Sequence, residues 1–461
     1  MPPVRSPAGT TRHGFHPTLK VVTASGSARM ALPQPGPVPS PQKPTVVLLG
    51  FTSLSVGSGT EQFLRSVVRN APFDDFRVVV AQTDFAPSRR WSDRYVADSL
   101  ESAELLTLRS SRGTLDPDRL LLLASRSLAM YVLTALAFPL LRSSAARRSR
   151  QRNTDALRAI ESADLLYLIR NDDRDWLEVD PARTVVVGST HCDDLSGGLL
   201  AFESLPARNL LRAVYARIQR RRKVRRGQID AYHVTQAVYW NQRVKRTDLD
   251  RFIPLGVDSE RFMPGPPRAR DDRVRFLFVG GLEPSKGLDR LLEAWRHVTS
   301  TRGELHVVGH GSLQAVVERD ARRDPRIHYH GILEPDALTK VYRSCDIFLF
   351  PSRFETFGLV VLEALSSGLY VVASSAVRGV FDDFRDLAAL EYLEMTPAAL
   401  ARRIQELSEG PLPLDDDRRL ALHRMVEMQY DWTRVANDLF SWIRRLLETR
   451  RASPARSSPR P

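Results

Sequence analysis

Apolar positions in this chain fall in short unbroken runs, and longer mixed stretches with helical character separate them. Thr45–Gly50 (TVVLLG), Arg77–Ala81 (RVVVA), Leu165–Ile169 and Thr184–Val187 are such runs in the first half. A strand buried on both faces has no polar side to show, so runs of this kind divided by helices predict a parallel sheet covered on both faces. A Pro/Gly-rich stretch, Met263–Pro267 (MPGPP), interrupts the pattern and marks a boundary. The pattern then restarts with Arg275–Val279, Glu304–Val308, Ile327–His330, Ile347–Phe350 and Tyr370–Ala373. Two doubly wound, Rossmann-like α/β domains facing a central cleft follow from this. Ligands of open α/β sheets bind beyond the carboxyl ends of the strands, so the cleft is the expected site.

The local pattern is sharpest around residues 346–373. The apolar strand Asp346–Phe350 ends at Pro351-Ser352, and a short helix is predicted from about Phe357 to Ser367, with Gly368 as its C-cap and a strand from Tyr370. The first-turn N–H groups of such a helix lack intrahelical partners and can hold a phosphate or a sugar hydroxyl. Glu355 falls on the approach loop and Glu363 near the second turn. Read from spacing alone, the two carboxylates either grip opposite ends of one elongated ligand or flank the helix as solvated groups.

Length and composition narrow the classes. A chain of 461 residues is long enough for two domains with separate cores, and 43% hydrophobic with 26% charged residues is ordinary for a globular protein. Cys192 and Cys345 stand far apart with no metal-ligand spacing, which points to a reduced, cytoplasmic setting without a disulfide framework. Asp172-Asp173 and Asp193-Asp194 are adjacent acids whose side chains point different ways, so no metal site is expected from them.

The net charge of +13 suggests nucleic acid until its placement is considered. The segments 1–45 and 450–461 hold nine positive charges and no acid, and their Pro, Ser and Gly content predicts disorder. The N-terminal segment has no apolar run long enough for a signal peptide. Two further clusters lie within the chain, Arg142–Arg152 and Arg217–Arg226, and the remainder is net acidic. Nucleic acid is therefore not an expected partner. The first cluster follows Ser127–Leu141 (SLAMYVLTALAFPLL), an uncharged run too short for the roughly 20 residues of a spanning helix. It reads either as a buried core helix or, over 127–152, as an interfacial segment whose basic flank meets anionic headgroups at the inner face of a membrane.

An ordered set of motifs resembles the retaining nucleotide-sugar glycosyltransferases of family 4, which have the GT-B fold. The motifs are Ser58-Gly59-Thr60-Glu61, Ile253–Asp258 with Phe262 and Pro264, Phe278–Gly287, Gly309-His310-Gly311, Gly331-Ile332-Leu333, the 354–363 run with its two glutamates, and Tyr430-Asp431-Trp432 with the helix after it. The resemblance covers about residues 45–450 and divides the chain into a tail at 1–43, an acceptor-side domain at 44–262, a nucleotide-sugar domain at 268–430, a helix crossing back at 431–450 and a tail at 451–461.

The resemblance also implies roles. Glu363 holds the ribose hydroxyls, and Glu355 contacts the donor sugar beside the backbone N–H groups of Phe357, Gly358 and Leu359. Lys286, after the glycine loop Gly280-Gly281, and Gly59 from the opposite domain face the diphosphate, while Gly311 and Ile332 line the nucleotide pocket. His191 hydrogen-bonds a sugar hydroxyl near the reacting carbon, and Glu355 and His191 are the catalytic candidates. The implied substrate is a UDP or GDP type sugar donor, with no cofactor and no metal. The implied acceptor is lipid-linked or a saccharide, as in envelope polysaccharide or glycolipid synthesis. Family members often carry Arg where this chain has Gly281 and Pro where it has Tyr370, and the Ala376–Val380 segment lacks a double glycine; Arg378 could stand in for the missing Arg. Those departures leave a second class open, a non-catalytic relative that binds or scaffolds.

Overall fold

The computed structural model describes residues 43–50, 59–83, 102–108, 151, 153–169, 177–189, 228–235, 248–266, 273–353, 355, 357–377 and 389–452. The first half contains strands β1 (Thr45–Leu49), β2 (Arg77–Thr83), β3 (Glu104–Leu108), β4 (Leu165–Leu168), β5 (Val185–Ser189), β6 (Ala231–Val234) and β7 (Arg251–Phe252), with helices α1 (Gly59–Arg69) and α2 (Thr154–Glu161). The strands form one sheet in the order β3-β2-β1-β4-β5-β6-β7, and every pairing is parallel. The apolar runs produce this sheet as expected: Val46, Val47 and Leu48 are fully buried, as are Leu165, Leu166 and Tyr167 on the neighbouring strand.

The second half contains β8 (Val274–Val279), β9 (Gly303–Val308), β10 (Ile327–Gly331), β11 (Ile347–Phe350), β12 (Tyr370–Ser374) and β13 (Leu390–Leu393). Its helices are α3 (Leu288–Trp295), α4 (Gln314–Arg323), α5 (Pro335–Ser344), α6 (Leu359–Ser366), α7 (Pro397–Glu409), α8 (Asp416–Tyr430) and α9 (Trp432–Ala452). The sheet runs β10-β9-β8-β11-β12-β13, again wholly parallel. In each sheet the connection reverses direction beside the first strand, between β1 and β4 and between β8 and β11, and a doubly wound sheet binds its ligands at such a switch point.

Strands β3, β6, β7 and β13 do not stand out in the apolar pattern. β3 is an edge strand with three exposed positions, and β7 has two residues. β6 carries His233, which is fully buried. Its Nε2 donates to the Ile253 carbonyl at 2.7 Å, leaving Nδ1 to accept from the Tyr167 hydroxyl at 2.5 Å. Burial pushes the ring down to about 4, so it stays neutral and polar pairing replaces apolar contact inside this strand.

The chain returns to the first half through α9. Val257 and Asp431 form a bridge in which Val257 N donates to Tyr430 O at 2.8 Å and Trp432 N to Val257 O at 3.1 Å. Trp432 then packs edge-on against Phe63 of α1 at 6.0 Å, and Phe440 against Phe76 at 5.6 Å. A Cβ at Gly256 would lie 2.8 Å from the Trp432 ring, so the crossing needs glycine there. Among the described residues, no helix is long and apolar enough to cross a membrane.

Candidate functional site

The carboxyl ends of β8, β9, β10 and β11 converge through loops that hold one another by backbone hydrogen bonds. Gly280 N donates to Val308 O at 3.1 Å, Gly309 N to Gly331 O at 2.8 Å, Leu282 N to His310 O at 3.0 Å and Arg353 N to Ser285 O at 3.0 Å. Two of these loops touch too closely for side chains. A Cβ on Gly309, at φ +138°, would meet the Gly280 carbonyl at 1.9 Å, and one on Gly311 would meet the Leu282 carbonyl at 2.6 Å. Glu283 fastens the same pair of loops by accepting from the backbone N–H of Ser312 at 2.9 Å and from its hydroxyl.

Lys286 ends a 3-10 turn, Pro284–Lys286, that follows β8. Gly287 continues the chain at φ +74°, with the Pro351 carbonyl where a Cβ would stand. That close approach brings the turn against the exit of β11, and Lys286 Nζ donates to Glu355 Oε2 at 2.7 Å. The lysine side chain is 35% exposed and the glutamate 13%, so the pair sits at the floor of an open surface rather than in the core.

Glu363 lies one helical turn inside α6. Gly358 precedes the helix at φ +76°, a left-handed conformation that cannot be continued as helix, which is why α6 starts at Leu359 and not at the expected Phe357. At the other end Ser367 is the C-cap and Gly368, at φ +74°, stands one position later than expected. Glu363 is only 4% exposed. Its Oε2 accepts from the Tyr342 hydroxyl at 2.9 Å, and its Oε1 from Nε2 of Gln62 at 3.0 Å, a residue of α1 in the first half. Burial pushes the carboxyl up to about 7; the Gln62 and Tyr342 hydrogen bonds oppose that rise and the Asp258 charge adds to it. A buried carboxyl pushed up toward neutrality where the two halves meet is a functional-site signature.

The described structure thus gathers Gly280, Gly281, Lys286, Gly311, Glu355, Phe357, Gly358, Leu359 and Glu363 at one edge of the second sheet. Phe357 and Leu359 bury their side chains, so only their backbone can meet a ligand, whereas Ile332 is 48% exposed on the loop after β10. Gly59 opens α1 at the carboxyl end of β1. His191, Cys192, Arg378, both aspartate pairs and the 127–141 segment lie outside the described residues. Sequence reading missed Gln62 and Tyr342, whose partner is far away in the chain. It also passed over Glu304, His306 and His328, which the structure brings together on neighbouring strands; the i, i+2 repeats Glu304-Leu305-His306 and His328-Tyr329-His330 were the available signal.

Two doubly wound parallel sheets in succession are the GT-B arrangement, and solved structures agree in fold. Sucrose-phosphate synthase from Thermosynechococcus elongatus superposes with a TM-score of 0.62 at 16% identity, over 88% of this chain and 100% of that one. The Anabaena protein HepE, solved with UDP and glucose, gives 0.56 at 15% identity over 87% and 99%. Residues 273–409, within the second half of the chain, match the sequence profile of the family described as glycosyl transferases group 1. Sulfoquinovosyl transferase of Arabidopsis thaliana is 38% identical over 132 residues, 26% of this chain and 25% of that protein. Phosphatidyl-myo-inositol mannosyltransferase of Mycobacterium tuberculosis is 30% identical over 217 residues, 44% of this chain and 55% of that protein. The matched part spans between a quarter and about half of the length of these relatives.

Proposed function

We propose that this chain is a retaining, metal-independent glycosyltransferase that moves a sugar from a UDP or GDP type donor to an acceptor hydroxyl in glycolipid or envelope polysaccharide synthesis. The observation that carries the reading is the arrangement of Glu355 and Glu363 on either side of the left-handed turn at Gly358, one paired with Lys286 and the other with Gln62 of the opposite half. An elongated ligand with a diphosphate at its centre fits such a site. Lys286 meets the diphosphate, whose charge grows as the glycosidic bond breaks, and the N-terminus of α1 at Gly59 meets it from the other side. Glu363, in its ionised form, accepts from both ribose hydroxyls. Glu355 and the backbone N–H groups of Phe357, Gly358 and Leu359 hold the sugar, with His191 at a sugar hydroxyl. The names of the relatives above support a lipid or saccharide acceptor. In this reading first-half loops bind it, and the uncharged run with its basic flank at 127–152 makes a peripheral contact to anionic lipid on the cytoplasmic face.

The test is a thermal-shift screen of nucleoside diphosphates and their sugars, followed by product release for each hit, with and without chelator. Stabilisation by one nucleotide and transfer that survives chelation are expected. A nucleotide that stabilises the protein without any sugar release would favour the non-catalytic binding relative, and no stabilisation by any of them would overturn the donor site.

A further inference from the structure

The second sheet holds a cluster that the cleft does not use. On β9, Glu304 and His306 alternate with the buried Leu305 and Val307, so they share the opposite face. On the edge strand β10, His328 stands directly opposite His306 in the parallel register, and His330 follows on the same face. His306 lies 4.7 Å from His328 between ring centroids at an interplanar angle of 30°, and 5.3 Å from His330 at 12°. Carboxylate and imidazole ligand atoms of Glu304, His306 and His328 all lie within 4.8 Å of one another.

The hydrogen bonding of His306 orients it. Its Nδ1 lies 3.0 Å from His330 Nε2, and one of these nitrogens must carry the proton. When His306 donates from Nδ1, its other nitrogen presents a lone pair, and this Nε2 faces Glu304 Oε2 at 4.0 Å. In that tautomer two lone-pair atoms face each other across the gap, and a cation between them would turn their repulsion into two bonds. A ring nitrogen fixed by a hydrogen bond on its far side is the usual state of a metal-bound histidine. Ligand atoms about 2.0–2.2 Å from a shared tetrahedral ion stand roughly 3.4 Å apart, so these atoms, all within 4.8 Å of one another, must draw together to share one.

We propose that Glu304, His306 and His328 form a site for a borderline divalent cation of the Zn2+ type, with His330 positioning His306. Two imidazoles and one carboxylate suit that class, and neither Mg2+ nor Ca2+ favours such a nitrogen-rich set. Glu304 also accepts from Arg273 at 3.0 Å and Arg275 at 3.2 Å. These guanidiniums oppose a second cation electrostatically and at the same time anchor the carboxylate; its remaining lone pairs are enough for one metal bond. The role that follows is structural. The ion would tie edge strand β10 to β9, and with it the loop Gly331-Ile332-Leu333 that β10 leads into.

The experiment uses the full-length chain without an affinity tag, stripped by chelator and then dialysed against Zn2+. About one tightly held equivalent is expected, with a Zn2+-dependent rise in Tm, and Co2+ in its place should give the visible absorption of a low-symmetry, tetrahedral-like site. His306→Gln and His328→Gln, checked for native circular dichroism, should each weaken Zn2+ binding at least about tenfold, the scale on which even supporting groups of metal sites act. A wild-type chain that holds no Zn2+ and shows no shift in Tm overturns the proposal without recourse to variants. So does folded double variant His306→Gln/His328→Gln that binds as tightly as the wild type, because the metal would then sit elsewhere.

Discussion

Gln62 on α1 and Glu363 on α6 stand 301 residues apart in sequence and meet at 3.0 Å, so the carboxylate proposed to receive the ribose is held by a side chain of the opposite half. This contact links the two halves and stabilises the charged form of a group that burial drives toward neutrality. In the proposed donor site, a nucleotide on Glu363 would act on the same atoms that link the two halves.

The first prediction concerns pH. Glu363 is raised from 4.5 to about 7 in the folded protein, so its contribution to stability is fully present below about 4.5 and is lost as pH rises through about 7. The shift corresponds to about 3 kcal/mol as an order of magnitude. Glu363→Gln has no proton to lose, so urea unfolding at a pH of roughly 8 should find the variant gaining on the wild type by an amount of that order relative to acid pH. Parallel stability profiles for the two proteins would refute the assignment.

Removing the contact from the other side should move the same window. Gln62→Ala takes away a hydrogen bond that favours the carboxylate, so the pKa of Glu363 rises further, and the loss of stability, which still begins near 4.5, extends to higher pH and grows. The difference between Gln62→Ala and the double variant Gln62→Ala/Glu363→Gln, followed against pH, reads this directly. An unmoved window would mean that the amide does not influence the carboxyl.

Lys286 should matter to transfer far more than to folding. The pair with Glu355 lies at a partly exposed surface, where ion pairs contribute about 1 kcal/mol or less. Lys286→Met should accordingly leave Tm nearly unchanged while lowering kcat/KM at least about 100-fold, the scale for losing one donor to a developing oxyanion. Wild-type rates in the folded variant would remove Lys286 from the chemistry.

Glycines of the loops should divide sharply. Gly287→Ala places a methyl 2.0 Å from the Pro351 carbonyl at φ +74°, and should destabilise by about 2 kcal/mol or more. At Gly281 a Cβ would meet nothing nearer than Glu283 Cγ at 3.8 Å, so Gly281→Ala should be close to neutral. Chemical denaturation of both variants provides the comparison.

That same space invites a gain of function. Gly281→Arg adds a guanidinium where relatives of this kind often carry one, and a charge-assisted pair with a phosphate contributes about 1.5–3 kcal/mol. Nucleoside diphosphate affinity should rise about tenfold or more by calorimetry, and an unchanged Kd would show that the position does not face the phosphates.

Much of this architecture is local and was therefore legible. Unbroken apolar runs such as TVVLL and IFLF read as strands covered on both sides, and Pro351 marks where the chain must leave one, whereas Gly358, which the local pattern places inside the helix, is left-handed and sets the start of α6. The strands that stayed hidden, β3, β6, β7 and β13, lie toward sheet edges or carry polar groups such as His233, whose partners arrive from other strands. Lys286 and Glu355 could be singled out from the chain, but their 2.7 Å pairing depends on Gly287 lying against Pro351. The sequence by itself determined two parallel sheets and a glutamate on each side of a helix start. Tertiary structure alone decided that Gln62 and Tyr342 hold one of those glutamates, that α9 returns to Phe63 and Phe76, and that Glu304 and three histidines share a face. Periodicity and turn chemistry are written in neighbouring residues, whereas these contacts follow from sheet order and from the packing of two halves. The Glu304-Leu305-His306 and His328-Tyr329-His330 repeats show which residues share a face of their own strand, and only the pairing of β9 with β10 makes them neighbours.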